Sequence, residues 1–219
     1  MPHFIVFDLD GTLLNTLPDI TGAMNRVLFR FGLPQHEEDS YKVFTGNGAR
    51  VLTQRALGAK NNLEDQVYQA YIQEYSRYSR ESTRPYEGIP EVLNELSERE
   101  ILLIVYSNKD DPETGDVIRH YFPDIRFAAV RGSLPDVPLK PDPAALRAIL
   151  SSLALKPKDG LYVGDTIMDM KCAKAIGIPA VAALWGFQSR EDLENRKPEH
   201  ISESPGQLRE VVINAFLPS

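Results

Sequence analysis

Two carboxylates separated by a single residue, in Asp8-Leu9-Asp10-Gly11-Thr12-Leu13, follow directly on the apolar run Phe4–Phe7. Such a pair can hold a metal ion through oxygen or do acid–base work. A calcium loop between two helices does not fit, because the matching frame puts Val6 at its first ligand position and Leu17 at its final glutamate. An Asp-Gly turn that only ends a strand is the plain alternative. Three further segments carry groups of the same kind. Ser107-Asn108 closes the run Ile101–Tyr106, and Lys140 stands in the proline-fixed loop Leu139-Lys140-Pro141-Asp142-Pro143. Gly164-Asp165-Thr166-Ile167-Met168-Asp169 follows Leu161–Val163 and sets two acids about one helical turn apart. Any one of these has an ordinary explanation; their convergence in this order points to one site.

That convergence needs elements to carry it. The runs Phe4–Phe7, Ile101–Tyr106, Ile125–Val130, Leu161–Val163 and Pro179–Leu184 are apolar and lack polar alternation, as in strands covered on both faces. Helical spacing lies between the later ones, over Pro90–Glu98, Pro143–Leu153 and Ile167–Ile176, the last ending at Gly177 with Pro179 beyond. Strands alternating with helices predict an α/β fold around a parallel sheet, whose ligands bind at the carboxyl ends of the strands. Residues 15–85 break the rhythm. Thr16-Leu17-Pro18-Asp19 starts a helix that repeats through Ile20, Met24, Val27 and Phe31 to Gly32; a second follows Gly46-Asn47-Gly48, and a third runs from Leu63 to about Arg80. The tyrosines of that third helix, among them Tyr68, Tyr71, Tyr75 and Tyr78, read as packing residues with hydroxyls in water. The expectation is an α/β core of residues 1–14 and 86–219, with residues 15–85 as an inserted, all-helical cap.

Composition sets the bounds. The 219 residues are 42% hydrophobic and 25% charged, ordinary for a globular chain with a proper core. A formal net charge of -7 argues against a nucleic-acid binder, and no apolar stretch approaches the roughly 18 residues of a membrane span. Cys172 is the one cysteine and sits in an apolar helix pattern; no disulfide and no signal peptide suit a cytoplasmic protein.

With its motifs in place the sequence resembles the haloacid dehalogenase superfamily. Asp8-x-Asp10-Gly11-Thr12 matches that family's first motif, Ser107-Asn108 the second, Lys140 the third and Gly164-Asp165-x-x-x-Asp169 the fourth. Asn15-Thr16, Gly46-x-Gly48, Lys140-Pro141-x-Pro143 and Ala183-Leu184-Trp185-Gly186-Phe187 resemble phosphoglycolate phosphatases in particular. The resemblance implies a Rossmann-like core and Mg²⁺-dependent hydrolysis of a small phosphorylated metabolite through an aspartyl-phosphate. It implies Asp8 as nucleophile and Asp10 as acid and base. Mg²⁺ would be held by Asp8, the main-chain carbonyl of Asp10 and Asp165. Ser107, Asn108 and Lys140 would bind the phosphoryl group, and Asp169 would support the metal's water shell or orient Lys140. The loop Gly46-Asn47-Gly48-Ala49-Arg50 is the candidate specificity segment, with Arg50 able to grip a carboxylate. Members that displace halide or cleave carbon–phosphorus bonds lack the second aspartate, so Asp10 favours a phosphatase. The alternatives are a mutase like β-phosphoglucomutase and a non-catalytic phosphate-binding module on the same fold. The segment Lys109–Asp116 is more acidic and glycine-bearing than the family leads one to expect.

Overall fold

The protein's structure is a computed structural model that describes residues 3–58 and 62–216. The chain starts with strand β1 (Phe4–Phe7) and the short β2 (Leu14–Asn15). Four helices follow, α1 (Leu17–Arg30), α2 (Glu38–Phe44), α3 (Ala49–Leu57) and α4 (Glu64–Tyr78). The chain returns through β3 (Arg84–Pro85), α5 (Ile89–Glu98), β4 (Leu102–Asp110), α6 (Asp111–Tyr121) and β5 (Phe127–Ser133). It ends with α7 (Ala144–Ser152), β6 (Gly160–Gly164), α8 (Ile167–Ile176), β7 (Ala180–Ala183), α9 (Arg190–Glu194), β8 (His200–Ser202) and α10 (Pro205–Phe216).

Six strands form one sheet in the order β5-β4-β1-β6-β7-β8, and every pairing in it is parallel. β1 lies between β4 and β6, where the strand order reverses, and a crevice opens at such a switch point beyond the strands' carboxyl ends. Both faces of the sheet are covered, which is why its strands carry no polar alternation. Ile5 and Phe7 pack on one face with Val92 and Leu93 of α5, Val117 of α6 and Leu208 of α10. Phe4 and Val6, pointing the other way, pack with Leu146 of α7 and with Met170 and Ile176 of α8. Helices α1–α4 bury a third cluster, from Met24 and Leu28 through Tyr41 and Leu52 to Tyr71 and Tyr75, which Phe187 joins from the segment after β7. Among the described residues no helix is long and apolar enough to cross a membrane.

The sequence spacing places most of these elements and misses several. β4 runs on to Asp110, four residues past Tyr106, because its pairing with β5 resumes at Asp110–Ser133 after an irregularity. Ser107 and Asn108 therefore sit inside the strand's last turn of pleat and not beyond it. The acidic segment after Asn108 opens α6, with Pro112 in the first turn and Asp111 and Glu113 at the positive end of the helix dipole. That local use accounts for a composition that looked unusual. α2, α9 and the final β8–α10 pair are too short or too weakly periodic to have stood out.

The two crossings between the helices and the sheet pair with each other as an antiparallel ribbon, Leu14 against Pro85 and Asn15 against Arg84. Asp19 of α1 fastens that crossing. Its buried carboxylate accepts hydrogen bonds from Ser82 N at 2.9 Å, Thr83 N at 2.8 Å and Thr83 Oγ1 at 2.7 Å. Asp19→Ala would leave the Thr83 amide and hydroxyl unpaired in a buried site. Urea unfolding at unchanged m should show a loss of about 2–3 kcal/mol.

Candidate active site

Asp8 is the first residue past β1, and its backbone N–H still donates to Val163 O of β6 at 3.0 Å, so the strand pairing fixes its position. Its Oδ1 accepts from Leu9 N at 2.7 Å and from Lys140 Nζ at 2.8 Å. Among the described residues Asp8 Oδ2 has no hydrogen-bond partner. Lys140 reaches in from the loop before α7, 3% exposed, and its ammonium also donates to Asp169 Oδ1 at 2.7 Å and Tyr106 O at 3.2 Å. Burial works against that charge, but Asp169 and Asp8 outweigh it and hold Lys140 above the usual lysine range.

Asp169 is fully committed. Besides Lys140 it takes Tyr162 OH at 3.1 Å on Oδ1, and Thr166 N at 3.0 Å and Thr166 Oγ1 at 2.6 Å on Oδ2. The bond from Thr166 N, with its reciprocal from Asp169 N to Thr166 Oγ1 at 3.3 Å, is a capping box that starts α8. Asp165 is held from both sides, by Thr12 Oγ1 at 2.7 Å on Oδ1 and Phe187 N at 2.8 Å on Oδ2. Two glycines make that fit possible. A Cβ on Gly11, whose φ is +83°, would lie 2.1 Å from Asp165 Oδ2, and one on Gly186 would lie 2.2 Å from Asp165 Cβ.

Ligand oxygens of Asp8, Asp165 and Asp169 lie within 4.8 Å of one another, all three residues buried. Burial, then the charge of Asp169, pushes Asp8 up to about 7 against the pull of Lys140. Burial and then Asp8 hold Asp165 well above the carboxylate range. Hard oxygen donors this close and short of positive charge fit a divalent cation such as Mg²⁺. With Asp169 spent on Lys140, Tyr162 and Thr166, Asp8 and Asp165 are the carboxylates that would hold such a cation.

The other residues singled out from the sequence divide. Ser107 and Asn108 are buried and line the same pocket as Asp8 and Asp10. Ser107 Oγ accepts from Lys109 N at 3.2 Å, which leaves its proton free to donate. Asn108 works as a brace: its Oδ1 accepts Lys140 N at 2.8 Å, and its Nδ2 donates to Gly46 O at 2.9 Å and Lys140 O at 3.2 Å. Gly46 and Gly48 line the pocket, both with positive φ, and Asn47 Oδ1 is held by Arg55 Nη2 at 2.9 Å. Arg50 departs from the expectation. It lies away from the pocket, donating to Asp65 at 2.7 Å and Glu64 at 3.2 Å, its guanidinium 4.3 Å from the Tyr68 ring centroid. Those three partners keep it on the outer surface of α3. Sequence reasoning passed over Lys109, whose Nζ reaches Asp10 at 3.3 Å and Tyr75 OH at 2.8 Å. Its adjacency to Ser107-Asn108 was the available signal. The Tyr75 hydroxyl thus meets a lysine, not water.

Fold and site together define the class: an open parallel α/β enzyme with an acid-lined site at its switch point. The haloacid dehalogenase-like hydrolase family model matches residues 5–183. A phosphoglycolate phosphatase of Mannheimia succiniciproducens is 31% identical over 95% of this chain and 97% of its own. Another, from Rhodospirillum rubrum, is 34% identical over 87% of this chain and 83% of its own. A solved structure described as a predicted phosphoglycolate phosphatase of Haemophilus somnus superposes with a TM-score of 0.88 at 29% identity, covering 95% of this chain and 97% of that one. The chain belongs to the haloacid dehalogenase-like hydrolase family.

A cation held by Asp8 and Asp165 would compete with protons for the same oxygens, with a definite sign. With metal chelated, the native state keeps a proton on Asp8 that the unfolded chain releases, so stability should fall as pH rises from about 4 towards about 7. Mg²⁺ binding should strengthen over the same rise and release protons. Thermal melts across pH with EDTA or Mg²⁺ check both. Asp8→Asn should make the EDTA slope shallower, the raised Asp165 carboxyl keeping part of it.

Proposed function

We propose that this phosphoric monoester hydrolase acts through a phosphoryl group carried on Asp8, with Mg²⁺ as cofactor. The observation that supports this most is the Asp8 carboxylate itself. It is pinned by Lys140 through one oxygen, its other oxygen accepts no hydrogen bond among the described residues, and a second carboxylate stands two residues on.

Asp8 Oδ2 attacks phosphorus, and the bond from phosphorus to the ester oxygen breaks. Asp10 gives its proton to the departing oxygen, so an alcohol leaves instead of an alkoxide. In the second half Asp10 takes a proton from water as that water attacks phosphorus. The bond to Asp8 then breaks, and inorganic phosphate and the starting carboxylate are restored. Ser107 donates a hydrogen bond to the phosphoryl oxygens, and Lys140 offsets charge on Asp8 and on the group in transit. Asn108 serves by fixing Lys140 and the Gly46 loop against each other. Asp169 fixes the Lys140 ammonium. Mg²⁺ bound by Asp8, Asp165 and the Asp10 carbonyl would cancel the repulsion between an anionic nucleophile and an anionic ester.

Residues 15–85 act in this reading as a cap that covers the pocket and excludes water, with residues 1–14 and 86–219 as the catalytic core. The helices' hydrophobic cluster, which takes only Phe187 from the core among the described buried residues, supports the division. So do their polar ties to the strand ends, Gly46 O to Asn108 and Tyr75 OH to Lys109. The relatives' names bring 2-phosphoglycolate as the first ester to try.

A panel of phosphate monoesters with Mg²⁺ tests the reading by phosphate release. Wild type should turn over small esters, and Asp8→Asn should lower kcat by about three orders of magnitude or more. Full activity in Asp8→Asn would remove the covalent step. A requirement for a bisphosphate primer would mark a mutase instead.

A further inference from the structure

One buried cation at the site has no part in the phosphoryl transfer just described. Among the described residues lining the pocket, Lys109 is the only lysine, arginine or histidine. Its side chain is 6% exposed and spans from the end of β4 to the helical segment. Nζ stands 3.3 Å and 3.4 Å from the two Asp10 oxygens and 2.8 Å from Tyr75 OH on α4. Burial opposes the charge, and Asp10 and Glu113 outweigh it, so Lys109 is held well above the usual lysine range. The rest of the lining combines apolar side chains, from Ile20 and Leu52 to Tyr71 and Ile72, with the acids Asp110 and Glu113.

The contacts of Lys109 are unequal. An ammonium has three donors, and Tyr75 takes one. Asp10 takes what remains only at a stretched distance, against roughly 2.7–2.9 Å in a tight charge-assisted bond. A second anion entering the pocket would meet a buried positive charge whose two bonds to Asp10 are long enough to be exchanged for a shorter one. Arg50, the cation that the sequence had suggested for this purpose, is held away at the surface by Glu64 and Asp65.

Position limits what that anion is. Asp10 serves the ester oxygen, and Lys109 touches Asp10. A group that reaches Lys109 therefore lies only one or two carbons from the ester oxygen. We infer that Lys109 is the specificity-determining residue of this site, binding a carboxylate on the leaving group, so that the preferred substrates are short phosphorylated hydroxy acids. The inference rests on the phosphatase reading for the place of Asp10 beside the leaving oxygen.

The test is a ratio. 2-Phosphoglycolate and 2-hydroxyethyl phosphate differ only in a carboxylate against a hydroxymethyl group. With Mg²⁺, wild type should favour the first in kcat/KM by about tenfold or more, the effect of one buried charge-assisted contact. Lys109→Met should bring the ratio close to one, chiefly through KM, and Lys109→Arg should keep part of it. Any harm done through Asp10 is common to both esters and cancels in the ratio. A role confined to holding Asp10 would lower both turnovers and leave the ratio as it was, which overturns the inference; so would a wild type without preference. Product inhibition of the wild type reads the same contact without a variant that has to fold. Glycolate should compete with substrate far better than ethylene glycol, and equal inhibition by the two would also overturn the assignment. If wild type hydrolyses no phosphate ester at all, the phosphatase reading fails and the inference goes with it. Equal hydrolysis of the two esters removes the inference alone.

Discussion

Like charges forced together underlie this structure. Asp8, Asp165 and Asp169 converge in a space where burial penalises each charge and every neighbour adds to the penalty. Lys140 bridges Asp8 and Asp169, while Asp165 has the neutral Thr12 hydroxyl and Phe187 amide as its partners. The capping box on α8, the Thr12 and Phe187 clamps on Asp165 and the Asn108 brace on Lys140 all hold groups that would otherwise move apart. The sheet supplies the rigidity. β1 has a parallel neighbour on each side and is buried along its whole length, so Asp8 cannot retreat.

Much of this was legible in the sequence. Asp8, Asp10 and Asp165 follow a strand, Ser107 and Asn108 close an apolar run, Asp169 lies in the first turn of the next helix and Lys140 stands in a proline-fixed loop; such places are easy to find when strands are uninterrupted apolar runs. The helices of residues 15–85 announced themselves through Pro18, through the paired glycines 46 and 48, and through apolar spacing. The family resemblance left Asp169 either to the metal's water shell or to Lys140, and its side chain meets the Lys140 ammonium.

What stayed hidden depends on where side chains turn. Arg50 and Lys109 are both basic residues beside glycine- or asparagine-bearing loops, and neither composition nor spacing tells which faces inward. Two acids on α4, Glu64 and Asp65, with the ring of Tyr68, decide the first. The run of β4 past Tyr106 decides the second, because it carries Lys109 over the pocket to Tyr75. The acid-rich opening of α6 misled for the same reason: its residues serve a helix start, a use that only the backbone reveals.

Phe187 belongs to two assemblies at once. Its ring packs in the helical cluster with Met24 and Leu52, while its amide holds Asp165 beneath. The two assemblies therefore share one joint. If the helical cluster loosens, the ring loses its seat and the amide its aim, and the carboxylate slackens while the sheet still stands. In a protein jointed this way, chemical competence is more fragile than the fold that carries it.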